Sequence, residues 1–204
     1  MKVALLLLLF VFGKINSEDF SLTLPCKSWI LFLIDQYKTV GSVNNFLNEL
    51  NFISDTIESL NHPERISIDV APGVGYGWHN KATKTDLQNV VLQEPYMYDV
   101  GDYSLSEKLS AVKSAQDFLK GDDFNTPIAA LIFISDTSDS ALAGADWCRS
   151  ELDKVHATFI LLGPNVDQRK LTNFSTNFIH WPDLSKPKPD DWDTNLFATL
   201  GCEK

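Results

Sequence analysis

Two stretches decide how this chain folds. Trp29-Ile30-Leu31-Phe32-Leu33-Ile34 runs without a polar break and is closed by Asp35, and Ile128-Ala129-Ala130-Leu131-Ile132-Phe133-Ile134-Ser135 does the same and is closed by Asp136. Continuous rather than alternating hydrophobicity predicts strands covered on both faces. Working outward from the first, Ser42 can cap a helix whose Val43, Phe46, Leu47, Leu50, Ile53, Ile57 and Leu60 recur at the 3.6-residue period, until His62-Pro63 stops it. Ile66 to Val70 predicts another strand, followed by the loop Pro72-Gly73-Val74-Gly75-Tyr76-Gly77, with a short strand expected at Asn89 to Leu92. Leu105, Leu109, Val112, Ala115 and Leu119 mark a helix ended by Gly121, before the second decisive strand. A helix over Ala141 to Lys154, a strand over Thr158 to Leu162 and the turn Gly163-Pro164 come next. A short helix closing at Leu171 to Phe174, a strand over Phe178 to Trp181, a linker from Pro182 to Pro189 and a helix over Trp192 to Leu200 complete the pattern. Strands alternating with helices build βαβ units, so the expected class is α/β: a three-layer, doubly wound, mostly parallel sheet with helices on both faces.

Composition bounds the function. The 204 residues are 44% apolar and 22% charged, ordinary globular values that rule out collagen-like, coiled-coil and disordered chains. A formal charge of −10 and a pI near 4.7, without any cluster of Lys and Arg, argue against nucleic acid or an anionic membrane as partner. Lys2 precedes an apolar run from Ala4 to Phe12, which Gly13 to Ser17 breaks before Glu18. That run is too short for a membrane span, which needs about 20 residues. It reads as a secretory signal peptide over residues 1–17. Removing 17 of 204 residues leaves 187, and losing Lys2 and Lys14 takes the charge to −12. That length suits one domain, expected over residues 26–202, with a sizeable core and an extracellular location.

Three cysteines remain. Cys26 precedes the first strand and Cys202 lies near the end, so a Cys26–Cys202 disulfide would join two chain ends that usually lie close together. Cys148 is then left over, as a buried helical thiol, an intermolecular link or a reactive group. No Cys or His spacing matches a zinc site. Asn173-Phe174-Ser175 is a glycosylation sequon, fitting a surface loop of a secreted protein.

In doubly wound sheets ligands bind beyond the carboxyl ends of the strands, where strand order reverses. Asp35 and Asp136 follow the two most apolar strands, and if those are neighbours the carboxylates share one rim. Two acids with hydroxyls beside them make a hard, oxygen-rich site suited to Mg²⁺ or Ca²⁺, unless both merely cap helices or bind loop amides. This order of elements, the two strands ending in aspartate, and the cysteines before the first strand and after the last helix resemble a von Willebrand factor A-type domain. The resemblance covers about residues 26–202. It implies recognition of an extracellular protein or matrix ligand, as in cell adhesion, through a divalent cation held by Asp-x-Ser-x-Ser, a threonine in a second loop and an aspartate after the fourth strand. Here the first loop reads Asp35-Gln36-Tyr37-Lys38-Thr39, and the second, Gly101 to Ser106, has Ser104 or Ser106 in place of threonine. The resemblance thus implies a degenerate metal site of Asp35, Thr39, Ser104 and Asp136. Tyr37, whose phenol would crowd the ion, and Tyr103 stand beside it as ligand-contacting residues.

Other chemistries find less support. Gly73-x-Gly75-x-Gly77 lacks the remaining spacing of a dinucleotide fingerprint and a prompt helix after it. No GxSxG or HExxH motif occurs. A secreted hydrolase on a doubly wound sheet, with His79 as base, is the alternative to a non-catalytic binding module, although no spacing singles out any of His62, His79, His156 and His180. Tyr76, Trp78, Tyr96, Tyr98 and Tyr103 crowd a stretch expected to be loops near the rim, where they would serve a partner or pack the sheet's edge.

Overall fold

The computed structural model describes residues 26–70, 74–99 and 101–202. The expected leader, residues 1–17, lies outside them. Six strands, β1 (Trp29–Leu33), β2 (Ile66–Val70), β3 (Val74–Tyr76), β4 (Ile128–Ile134), β5 (Val155–Leu162) and β6 (Asn177–Trp181), form one sheet in the order β3-β2-β1-β4-β5-β6. All neighbours run parallel except β2 and β3. The expected class is the observed one. Every residue of β1 and β4 is buried, as their unbroken apolar runs require.

Because side chains alternate across a strand, each strand feeds two cores. Ile30 and Phe32 of β1 and Leu131 and Phe133 of β4 face one core, beneath α1 (Val43–Ser59), α2 (Lys84–Leu92) and, later in the chain, the C-terminal helix over Trp192–Leu200. Phe52 of α1 is its aromatic hub, 5.1 Å from Trp181 and 4.7 Å from Trp192 between ring centres. Leu31 and Leu33 of β1 and Ile132 and Ile134 of β4 face the other core, beneath α3 (Leu105–Gln116) and a 3-10 stretch over Ala145–Leu152. Cys26 and Cys202 are joined, with Cα atoms 4.3 Å apart, and close the chain ends at the foot of the sheet. Gly201 seals this corner: at φ 61° it accepts from Ser28 Oγ (3.0 Å), and a Cβ there would lie 2.6 Å from that hydroxyl.

The structure departs from the expected elements at four places. Asn89 to Leu92 is not a strand but the end of α2. Its Val-Val-Leu run looks β-like, yet Thr83 and Asp86 form a reciprocal capping box that starts a helix, and Leu87 and Val91 bury one helical face. The helix expected over Ala141 to Lys154 breaks into α4 (Asp139–Leu142) and the 3-10 stretch, because Gly144 takes φ 75° between them. Part of the glycine-rich loop is the edge strand β3, where a Cβ on Gly75 would meet the Ile68 carbonyl at 2.1 Å. Val43, expected on the buried face of α1, is instead 45% exposed at its first turn.

Candidate functional site

Strand order reverses between β1 and β4, so their carboxyl ends border the crevice where such sheets take ligands. Asp35 and Asp136 both emerge there, on adjacent parallel strands. They do not play equal parts. Asp35 sinks to zero exposure, where its Oδ2 accepts from Ser135 N (2.7 Å) and its Oδ1 from Tyr37 N (3.1 Å). It thereby staples the β1 loop to the end of β4. Asp136 stays closer to the surface, its Oδ1 accepting from Ser138 N (2.7 Å) in a tight turn that leads into Ser138 as the N-cap of α4. Thr39 reaches the same place: Ser135 Oγ donates to Thr39 Oγ1 at 2.7 Å.

Thr39, Ser135, Asp136, Ser138, Asp167 and Lys170 line an open polar cleft of about 520 Å³. Its walls are tied together. Asp167 N donates to Thr137 Oγ1 (2.9 Å), and Lys170 Nζ pairs with Asp139 at 2.7 Å. The cleft is therefore shaped by the protein's own hydrogen bonds before any partner arrives.

The other residues named from sequence do not line this cleft. Ser104 caps α3, its Oγ accepting from Glu107 N at 3.3 Å. Tyr37 and Tyr103, expected to touch a ligand, are buried at 4% and 3% exposure and meet edge to face at 5.4 Å. Tyr103 O–H donates to Phe133 O (3.0 Å), which satisfies the phenol and lets the ring serve as core beneath the rim. Trp78 packs on Trp29 and donates to Ile30 O (2.9 Å), at the foot of β1 and away from the rim. His79 also stands at the foot, 2.8 Å from Asp123 and 4.7 Å from the Trp29 ring. The partners of His62 and His180 are Glu64 and Gln168. Asn173 is exposed on the turn before β6, and Cys148 is a buried free thiol 3.7 Å from Ser110 Oγ.

The oxygen donors suit a hard cation in kind but not in arrangement. Mg²⁺ demands a near-ideal octahedron. Asp35 is at zero exposure with an amide on each oxygen, Ser104 caps α3 and does not line the cleft, and a buried ring occupies position 37. Only Thr39 and Asp136 of the four expected ligands line the cleft.

Beneath the rim lies a buried polar group that no sequence motif marks. Glu49 of α1 is fully buried, its Oε1 accepting from Asp35 N at 2.8 Å. Lys108 of α3 is 2% exposed, 5.7 Å from the Tyr37 ring centre. Burial pushes the Asp35 carboxyl up to about 6, against the pull of its hydrogen bonds and of Lys108. Burial and the neighbouring Asp35 push Glu49 well above the usual carboxylate range, and burial lowers Lys108 while the acids around it raise it. Helical periodicity does carry a signal for both: Glu49 sits on the stripe of Phe46, Leu50 and Ile53, and Lys108 on that of Leu105, Leu109 and Val112.

A doubly wound α/β sheet with helices on both faces is the von Willebrand factor A-like fold. Two solved structures of proximal thread matrix protein 1 from the mussel byssus share it. One superposes with a TM-score of 0.68 at 13% identity, covering 87% of this chain and 47% of that one. The other, from a second crystal form, gives 0.66 at 14%, covering 87% and 48%. The chain thus spans about half the length of these structures, and the likeness is one of fold. No protein-family model matches the chain, and no curated protein sequence matches it. Among the described residues no helix is long and apolar enough to cross a membrane.

Proposed function

We propose that this chain is a secreted, non-catalytic binding module that recognises an extracellular protein or matrix ligand through the rim at the ends of β1 and β4. One observation carries the reading: the strand ends at the sheet's reversal converge on an open, pre-shaped cleft lined by hydroxyls and carboxylates. An open polar surface of this kind suits a macromolecular partner better than a small substrate, which is usually enclosed. The leader-like start, the joined cysteines and the likeness to a byssus matrix protein support the extracellular setting. The rings of His62, His79 and His180 are engaged by Glu64, Asp123 and Gln168 rather than by a serine hydroxyl, which favours binding over hydrolysis. A divalent cation, if recruited at the rim, would find Thr39 and Asp136 as its protein ligands and water for the rest.

The test is surface plasmon resonance of the chain over a panel of immobilised fibrillar matrix proteins. Asp136→Asn keeps the acceptor for Ser138 N but removes the charge, and should weaken binding about tenfold. His79→Ala, at the other end of the sheet, should leave it unchanged. Binding indifferent to Asp136→Asn but lost with His79→Ala would overturn the rim as the binding surface.

A further inference from the structure

The two faces of the sheet are covered unequally. On one, Ile66 and Ile68 of β2 lie in the core beneath α1 and α2. On the other, β2 presents Ser67 and Asp69, and α3 packs chiefly over β1. Leu31, Ser67, Asp69, Ala111, Ala115 and Phe118 line the resulting cleft of about 320 Å³. It shares no residue with the rim cleft.

Three properties define what would fit there. First, part of its wall is apolar: Ala111 and Ala115 of α3 offer carbon beside the hydroxyls of Ser67 and Ser114, and Phe118, among its lining residues, stands 52% exposed. Second, among the described residues Asp69 is the one charged side chain that lines the cleft. Third, burial raises the Asp69 carboxyl while Lys108, itself buried, lowers it, so a cation brought by a partner would favour the ionised form.

We propose that this cleft receives an arginine side chain of a protein partner, with the guanidinium on Asp69 and its planar face against the exposed Phe118 ring. The chemistry matches at each point. A guanidinium forks onto a carboxylate through two N–H donors, stacks on an aromatic face, and carries a three-carbon stem for an apolar wall. The open, one-sided shape suits a side chain delivered from a partner's surface rather than an enclosed free ligand. The chain's net charge of −10 favours approach of such a partner.

The test is titration of the isotope-labelled chain with N-acetyl-arginine amide, followed by amide chemical shifts. The expected result is saturable shifts confined to Ser67, Asp69, Gly77, Ala115 and Phe118. The neutral isostere N-acetyl-citrulline amide should produce none of them. Asp69→Asn should weaken binding about tenfold, the loss of one charge-assisted pair. Phe118→Ser, a change at an exposed position that spares the core, should weaken it as well. Shifts scattered over the acidic surface, equal shifts with citrulline, or binding indifferent to both substitutions would overturn the proposal.

Discussion

Asp35 shows how a residue can hold the position of a metal ligand and do other work. Its two oxygens take the amides of Tyr37 and Ser135, so it joins neighbouring strand ends where a cation would otherwise join them. Ionising it is costly because water is excluded, and Glu49 beside it adds a second buried acid. Both carboxyls are raised in the fold, so the folded chain holds their protons more tightly than the unfolded one. Their contribution to stability is full below about pH 4, the unfolded carboxylate range, and is lost as pH rises through about 6 for Asp35 and higher for Glu49. Glu49→Gln keeps an acceptor for Asp35 N and cannot ionise. The variant should melt higher than the native chain at pH 8 and show a flatter melting profile between pH 5 and 8. Thermal unfolding across that range checks this, and a lower melting temperature at pH 8 would contradict it. Sequence alone makes Asp35 visible, because it ends an apolar strand. It cannot show which way the carboxylate turns, since that depends on Ser135, 100 residues away.

At the scale of elements, legibility follows burial. β1, β4 and α1 are readable because packing on both faces or along one stripe imposes a strong hydrophobic pattern. α2 is not: its Val90-Val91-Leu92 run has strand-like composition, and the deciding feature is the Thr83–Asp86 cap. Thr83→Ala should therefore cost about 1 kcal/mol, read as a lower urea midpoint with an unchanged slope. An unchanged midpoint would show that packing of Leu87 and Val91 alone holds the helix. The aromatic stretch from Tyr76 to Tyr103 is legible as a cluster but not as to its place. Trp78 and Tyr103 bury their rings and satisfy their polar atoms on main-chain carbonyls. Among the described residues the large exposed aromatic rings are Phe118, Phe124 and Trp147, which no run, period or motif in the sequence singles out.

For the molecule as a whole, the sheet order brings the two aspartate-ended strands together at the reversal point, while the joined cysteines close the opposite end. A link spanning 176 residues can stabilise the fold by up to about 5 kcal/mol in the chain-entropy model. The rim is organised instead by Asp35, Thr39, Ser135 and Thr137, through bonds within the protein. Thermal melting of the chain in Mg²⁺, in Ca²⁺ and in chelator tests this most directly. An ion present at a hundredfold its Kd would add about 2.7 kcal/mol, which is about 5–10 °C for a chain of this size. A self-sufficient rim predicts the same melting temperature, to about 1 °C, in all three. A rise of several degrees in either cation, reversed by chelator and abolished by Asp136→Asn, would contradict it.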